Sequence, residues 1–456
     1  MDGQLLSFRV SNHRSLHEEQ ELSLIATDKG DARLLLPNGL EEAVVPVCAM
    51  YGANASGKSN VMHALAFMQQ AVVLSQRLWT TEGVPRERFA LTDDPAAPSA
   101  FSLQMVIEGA RYEYGFAVDD EVVLEEWLYA WPNGRKQEWF TRDRQVFHFN
   151  RELHGENKAI EALTRPNSLF LSAAAQNNHP RLGSLYRWFA SRLRVSHQTL
   201  GWTFGTSQGW EQFAEGSVEQ LSFLQPSEEL LHRRTRVRTL LRAADLGIQD
   251  FRVTEEDAPQ RDSRGDLRRP RKTWRLSFSH LGASPGTWLD LAQQSTGTRA
   301  LVSLLSTLLP ILDSGGVIAI DELNTLHPML ALALVQLFQD ATRNPRGAQL
   351  LFNTHESSLL GNLLADPPPL RRDQIWLTEK DRTGATHLYP LTDYKPRAAE
   401  NLERGYLQGR YGAVAFPWRL RGPAAADGRV TCPGGFEIAI GSSLDADQAK
   451  TRSSES

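Results

Sequence analysis

Only two cysteines, Cys48 and Cys432, occur in 456 residues. Two thiols cannot build a disulfide framework or supply the four ligands of a structural zinc, and their scarcity suits a reducing compartment. Long apolar runs are also missing. The longest, Met329 to Phe338, is interrupted by Gln336 and has about half the length a bilayer requires. The opening stretch MDGQLLSFRVSNHRSL lacks the charged-then-apolar pattern of a secretory signal. These absences predict a cytoplasmic chain with no membrane contact. A dominant charge of one sign is absent too: the formal net charge is −5 and the pI about 6.2. Any nucleic-acid surface would therefore be a local patch. There is no internal repeat and no heptad run long enough for a coiled-coil arm. What is present, 41% hydrophobic and 23% charged residues, describes a globular chain with enough length for a well-buried core.

Along the chain, residues 5–25 alternate and read as two strands around Asn12-His13-Arg14-Ser15. VVPVCAMY at 44–51 reads as a buried strand, followed by a glycine-rich turn and a helix from Ser59 to Leu78. Residues 85–150 read as strands separated by turn signals such as Pro132-Asn133-Gly134. Residues 151–245 read mainly as helices, and the charged stretch 255–275 as an exposed loop or hairpin. From 288 to 360 the pattern becomes α/β, followed by two strands in 373–390 and a last helix at 393–410. The small, polar segment from Gly422 predicts a disordered tail.

The strongest motif is Gly52-Ala53-Asn54-Ala55-Ser56-Gly57-Lys58-Ser59, a full G-x-x-x-x-G-K-[ST] between an apolar strand and a helix. The glycines let backbone N–H groups turn inward around phosphates. The following helix aims its N-terminal dipole at the same charge. Lys58 would reach the terminal phosphates and the Ser59 hydroxyl would ligate Mg²⁺. A second motif, Gly316-Val317-Ile318-Ala319-Ile320-Asp321-Glu322, is an apolar strand ending in two carboxylates. Asp321 would hold Mg²⁺ directly or through water, and Glu322 would polarise the attacking water as general base. More than half of the chain separates Lys58 from Asp321, which demands a large insertion or a shuffled strand order.

Two further segments follow the same logic. Gln294-Ser295-Thr296-Gly297-Thr298-Arg299 opens an amphipathic run just before the carboxylate strand. In isolation Ser295 and Gly297 would be an ordinary helix cap; ahead of that strand they read as a second anion site. Leu350-Leu351-Phe352-Asn353-Thr354-His355 is another apolar strand, ending in an imidazole that can sense a terminal phosphate and orient water. His327, in LeuAsnThrLeuHisPro, reads as an interface residue or the cap of the next helix rather than as a metal ligand.

Taken together, YGANASGKSN, QQSTGTRAL, VIAIDELNTLHPML and LLFNTHESSLL resemble the AAA/ABC-type ATPases related to RecF and to the heads of structural-maintenance proteins. NHRSL, RRDQIWLTEKD and NLERGYLQGRYGAV are similar, more narrowly, to the prokaryotic ATPase family linked to abortive infection and anti-phage loci. The resemblance covers about residues 5–418. It implies an α/β fold: a P-loop NTPase, ABC-type head with a mixed β-sheet core and flanking helices. The head would comprise residues 1–84 and 286–421, with a β-rich lobe at 85–150, a helical insertion at 151–285 and the tail at 422–456.

The resemblance further implies ATP and Mg²⁺ as ligands and ATP hydrolysis as the activity. It implies a head-to-tail homodimer or higher oligomer in which Ser295 and Gly297 face the nucleotide bound to the other copy. The phosphate-loop residues Gly52 to Asn60 would bind nucleotide, Arg14 would lie near its phosphates, and Gln176 in SLFLSAAAQNN would match the Mg²⁺- and water-sensing glutamine. Two departures stand out. The signature reads Ser-Thr-Gly-Thr rather than Leu-Ser-Gly-Gly, which points to slow turnover, and Asn324 and His327 replace the usual aspartate of the dimer-contact loop. Glu379-Lys380-Asp381 is an acidic cluster after His355 with no glycine directly behind it, and the later Asp445-Ala446-Asp447 falls in the small, polar tail, so no TOPRIM nuclease is expected and an effector would be a separate protein. Nucleic acid could bind through the arginine-rich 233–275 segment, as in a DNA-repair ATPase of the RecF type. A non-hydrolysing, nucleotide-gated scaffold is the third reading.

Overall fold

The computed structural model describes residues 3–80, 83–196, 231–244, 247–261, 267–282, 284, 286–397, 400–414, 429–432 and 436–439. The chain divides into two compact units, Met1–Val414 and Ala415–Ser456.

The first unit is organised by two sheets. Strands β1 (Leu5–Ser11) and β2 (Gln20–Ser23) precede β3 (Val47–Gly52), which feeds helix α1 (Lys58–Leu78). Then come β4 (Ser99–Ile107), β5 (Ala110–Val118), β6 (Val123–Trp131), β7 (Gln137–Asp143) and β8 (Val146–Phe149). The first sheet is antiparallel throughout, in the order β2-β1-β4-β5-β6-β7-β8. Its strands read as expected for a sheet with one covered face: Ser99, Phe101, Leu103 and Met105 of β4 are buried, while Ala100, Ser102 and Gln104 between them are not. The strands at 5–23 and 99–149 thus share one sheet, which runs across the expected boundary at 84/85.

Helices α2 (Asn157–Leu163), α3 (Phe170–Gln176) and α4 (Gly183–Arg187) follow. The stretch expected to be mainly helical then departs from that expectation. Leu193–Ser196 forms strand β9, too short for a period-2 signal to stand out, and residues 197–230 lie outside the described residues. Helix α5 (Leu231–Ala244) leads into a long hairpin, β10 (Ile248–Arg261) and β11 (Leu267–His280), joined by the short β12 (Leu289–Asp290). The charged 255–275 segment is therefore a hairpin, and its strands replace the end of the expected helical insertion.

The second sheet holds α6 (Thr296–Ser314) and α7 (Pro328–Gln339) against one face. Its other strands are β13 (Val317–Ile320), β14 (Gln349–Asn353), β15 (Ile375–Lys380) and β16 (Thr386–Pro390). The order is β16-β15-β3-β14-β13-β9, parallel except for the edge strand β16. Every residue of β3, β13 and β14 is buried, as a sheet covered on both faces requires. Side chains alternate between two cores. Cys48, Met50, Val317, Ala319 and Leu351 join the core of α1 and the antiparallel sheet. Val47, Ala49, Tyr51, Ile318, Ile320, Leu350 and Phe352 join the core of α6 and α7. The last helix is only α8 (Leu402–Leu407), capped by Asn401, whose side chain accepts from Arg404 N–H at 2.9 Å. In the second unit, β17 (Arg429–Cys432) and β18 (Phe436–Ala439) pair antiparallel, where disorder is expected from composition; the remainder of that tail lies outside the described residues.

One buried ion pair ties the helices to the antiparallel sheet. Glu126 and Arg142 have side chains with no exposure. The Glu126 carboxylate accepts from Phe170 N–H (2.7 Å), Leu171 N–H (3.0 Å), the Tyr114 hydroxyl (2.9 Å) and Arg142 (3.3 Å). Burial pushes its pKa up, and these donors oppose that shift. Arg142 also donates to the carbonyls of Arg144, Arg165, Pro166 and Ser168. Arg142→Ala leaves a buried carboxylate without its counter-ion, and we expect a loss of about 3–5 kcal/mol in denaturant unfolding. Pairing it with Glu126→Gln removes the stranded charge and should restore a large part of that loss.

Candidate active site

Strand β3 ends at Gly52, and Ala53 to Gly57 carry the chain from the sheet into the first turn of α1. The crossing is tight: Ala55 has φ 62° and Gly57 has φ 108°. A Cβ on Gly57 would overlap the Thr386 hydroxyl, and one on Gly52 would overlap the Thr378 hydroxyl. Glycine at both ends of the loop is thus required by the close approach of β15 and β16, and at Gly57 by the left-handed backbone as well. Asn54 and Ala55 are exposed at the tip, whereas Ser56 is buried. Helix α1 has no acidic residue in its first turn, so its positive end opens on this loop.

Lys58 is the first residue of α1 and is only 7% exposed. Its Nζ donates to the carbonyls of Gly52 at 2.8 Å and Ala53 at 2.9 Å. Burial lowers its pKa to about 8, against the pull of Asp321 and Glu322. The Ser59 hydroxyl donates to Asp321 Oδ1 at 2.9 Å. Asn353, buried at the end of β14, donates from Nδ2 to the same oxygen and accepts from the Glu322 N–H at 2.6 Å. One amide therefore holds both acidic residues. It also explains how Glu322 keeps a left-handed backbone (φ 62°, ψ 64°), which a residue with a side chain rarely adopts. His355 follows β14 and is exposed. Partial burial, then the Lys58 charge, lowers its pKa, with Glu322 opposing, so the imidazole is neutral at pH 7.

This donor set suits a magnesium–triphosphate. A hydroxyl and a carboxylate, both hard oxygen donors, meet beside a glycine-walled loop and a buried ammonium. Mg²⁺ is commonly held by one or two protein oxygens plus substrate phosphates and water, rather than by a full protein cage. Among the described residues, no group of three or more His, Cys, Asp or Glu forms such a cage.

The other residues singled out from sequence have the following surroundings. Ser295 and Gly297 are exposed at the N-terminus of α6, where Ser295 Oγ accepts from the Thr298 N–H at 3.1 Å. His327 caps α7, its Nδ1 accepting from the Met329 N–H at 3.2 Å. The Asn60 side chain donates to Ser15 Oγ at 2.5 Å. Arg14 forms a fork with the Glu87 carboxylate at 2.8 and 3.1 Å. Gln176 is not brought to the site. It is exposed at the end of α3, whose Ser172 bonds the backbone of Gln76. At 1.5 Å per residue, Gln76 lies roughly 25 Å along α1 from Ser59, beyond what one further helical turn and a glutamine side chain can span.

Four residues of this neighbourhood were not singled out from sequence: Asn353, Thr378, Thr386 and Tyr406. Asn353 lay within a recognised strand, where a polar residue closing an apolar run is the available signal. Thr378 and Thr386 touch the loop only because β15 and β16 extend the sheet beside β3. Tyr406 packs edge-on against Tyr51, with ring centroids 5.5 Å apart.

A family model described as "AAA domain, putative AbiEii toxin, Type IV TA system" matches residues 47–361. No curated protein sequence matches the chain. Among solved structures, the chain is similar to the SmcHead bound to the C-winged helix domain of ScpA, with TM-score 0.42 and 13% identity over 84% of this chain and 96% of that one. It is also similar to the SMC head domain from Thermotoga maritima, with TM-score 0.37 and 13% identity over 85% and 98% of the two chains.

The Lys58 amine is mostly neutral above pH 8 in the free protein and would be charged against phosphate. Binding of a magnesium–triphosphate at pH 9 should therefore take up a proton, and binding at pH 7 should take up almost none. Calorimetry in two buffers of different ionisation enthalpy reads this directly; equal uptake at both pH values would remove Lys58 as the titrating group.

Proposed function

The chain belongs to the AAA-domain family whose model spans residues 47–361, and on that footing we propose that it binds ATP with Mg²⁺ and hydrolyses it as a cytoplasmic ATPase. The observation that carries this reading is the meeting of Lys58, Ser59, Asp321 and Asn353 at the carboxyl ends of three parallel strands, the edge where open α/β sheets bind ligands. Lys58 would leave the Gly52 and Ala53 carbonyls for the β- and γ-phosphates. Ser59 and Asp321 would hold Mg²⁺, whose charge would offset that developing on the transferred phosphoryl group. Glu322 would accept the proton of the attacking water, and the neutral His355 imidazole would hydrogen-bond the water or the γ-phosphate.

The exposed Ser295 and Gly297 at the start of α6 are suited to face the nucleotide of a second copy, giving a head-to-tail dimer with two composite sites. Closure of that dimer would then change how the protein grips a separate effector. The segments NHRSL, RRDQIWLTEKD and NLERGYLQGRYGAV, together with the toxin–antitoxin description of the family, favour prokaryotic anti-phage defence as the setting. No helix among the described residues is long and apolar enough to cross a membrane.

A second reading, direct binding of duplex DNA, draws on the arginine-rich 233–275 segment, much of which forms the antiparallel ribbon β10–β11. Salt separates the two: direct DNA binding weakens steeply with ionic strength, and a protein effector need not.

Turnover and molar mass measured together on the wild type and Glu322→Gln test the main reading. We expect ATP hydrolysis by the wild type. Glu322→Gln should lose at least about a hundredfold in turnover and accumulate as an ATP-bound dimer. If neither protein binds ATP, the reading fails. If both bind ATP but neither hydrolyses it nor dimerises, the nucleotide-gated scaffold takes its place.

A further inference from the structure

The phosphate loop is braced from behind by residues that lie outside the family-matched span. The Asn60 amide donates to Ser15 Oγ at 2.5 Å, Ser15 Oγ lies 2.7 Å from Thr386 Oγ1, and Thr386 Oγ1 donates to the Ser56 carbonyl at 2.9 Å. The Thr386 N–H closes a second link, donating to the Ser15 carbonyl at 2.7 Å. Each hydroxyl has a single proton to give. With the Thr386 proton committed to Ser56, the Ser15 proton must go to Thr386, and Ser15 accepts from Asn60. The relay therefore runs one way, from the first turn of α1 through the 12–15 loop and β16 back to the phosphate loop. Thr386 is 1% exposed, so water cannot replace its bond.

The target of the relay matters. In a trans peptide the C=O and the following N–H point in opposite directions. Holding the Ser56 carbonyl against β16 turns the Gly57 N–H away from β16, toward the side where phosphate would lie. The same threonine forms the wall that no side chain at position 57 could clear.

We propose that Thr386 is a positioning residue for the phosphate loop: through the Ser56 carbonyl it presets the Gly57 N–H for a triphosphate, so that the β16 edge strand governs nucleotide affinity. This rests on the ATP reading above, and the test separates the two. A fluorescent ATP analogue with Mg²⁺ is titrated into wild type, Thr386→Val, Thr386→Ser and Ser15→Ala, and amide hydrogen exchange of the loop is followed in nucleotide-free protein.

Thr386→Val, nearly the same size but without the hydroxyl, should weaken analogue binding about tenfold. It should raise KM for ATP in step, leave kcat at saturating ATP nearly unchanged, and speed exchange of the loop amides. Thr386→Ser should bind within about twofold of wild type, and Ser15→Ala should weaken binding at least about threefold. Wild-type affinity in Thr386→Val overturns the proposal, as does an equal loss in Thr386→Ser. If Thr386→Val does not fold, unchanged affinity in Ser15→Ala overturns it. If wild type fails to bind the analogue, the ATP reading falls, and the exchange measurement alone then decides whether Thr386 orders the loop.

Discussion

Strand β14 lies between the strand that carries the phosphate loop and the strand that carries the two carboxylates, and the site depends on that insertion. Neighbouring strands are about 4.8 Å apart, so β3 and β13 are separated by roughly 10 Å. Neither backbone can reach across. Asn353, at the end of the intervening strand, spans part of the gap by bonding both Asp321 and the Glu322 N–H, and Ser59 at the start of α1 meets Asp321 from the other side. Parallel pairing makes this possible because it brings the carboxyl ends of all three strands to one edge.

The rest of the first unit holds that edge still. The parallel sheet is a partition between two cores, and alternate side chains of β3, β13 and β14 are committed to opposite sides. A slip of one residue in any of these strands would exchange the two sets, so the register of the motif-bearing strands is strongly specified. The antiparallel sheet is locked to the helices by the Glu126–Arg142 pair, which is satisfied on nearly every side by backbone and hydroxyl partners. Such a network costs desolvation, and a fully satisfied one favours a single arrangement.

The electrostatics of the site follow from the same geometry. Lys58 is buried at the end of a strand and the start of a helix, and burial alone would disfavour its charge; Asp321 and Glu322 pull the other way. The resulting pKa of about 8 leaves the amine charged at neutral pH yet easily perturbed. His355, at the opening, is kept neutral chiefly by partial burial and the lysine charge. A cation and a neutral imidazole thus share one edge, the lysine charge itself helping to keep the imidazole neutral.

Much of this was legible in the sequence. The phosphate loop, the apolar strand ending in Asp321-Glu322 and the strand ending before His355 are local patterns. Their chemistry depends on residue order within a few positions: the helix expected at 59–78 forms at 58–78, and the strand expected at 44–51 forms at 47–52. Strand β9, the length of the β10–β11 ribbon and the shortness of α8 were not legible, because four residues carry no clear period and a charged hairpin resembles a loop. Gln176 shows the opposite failure: its local context fitted, but the packing of α3 along the far half of α1 carries it away. What the sequence by itself determined is the set of groups able to handle a magnesium–triphosphate, since those act through short-range backbone and side-chain chemistry. Only the tertiary structure decided that Asn353 joins the Asp321 carboxylate to the Glu322 backbone and that Ser15, Thr378 and Thr386 brace the loop, because strand order and register bring residues far apart in the chain within a hydrogen bond of one another.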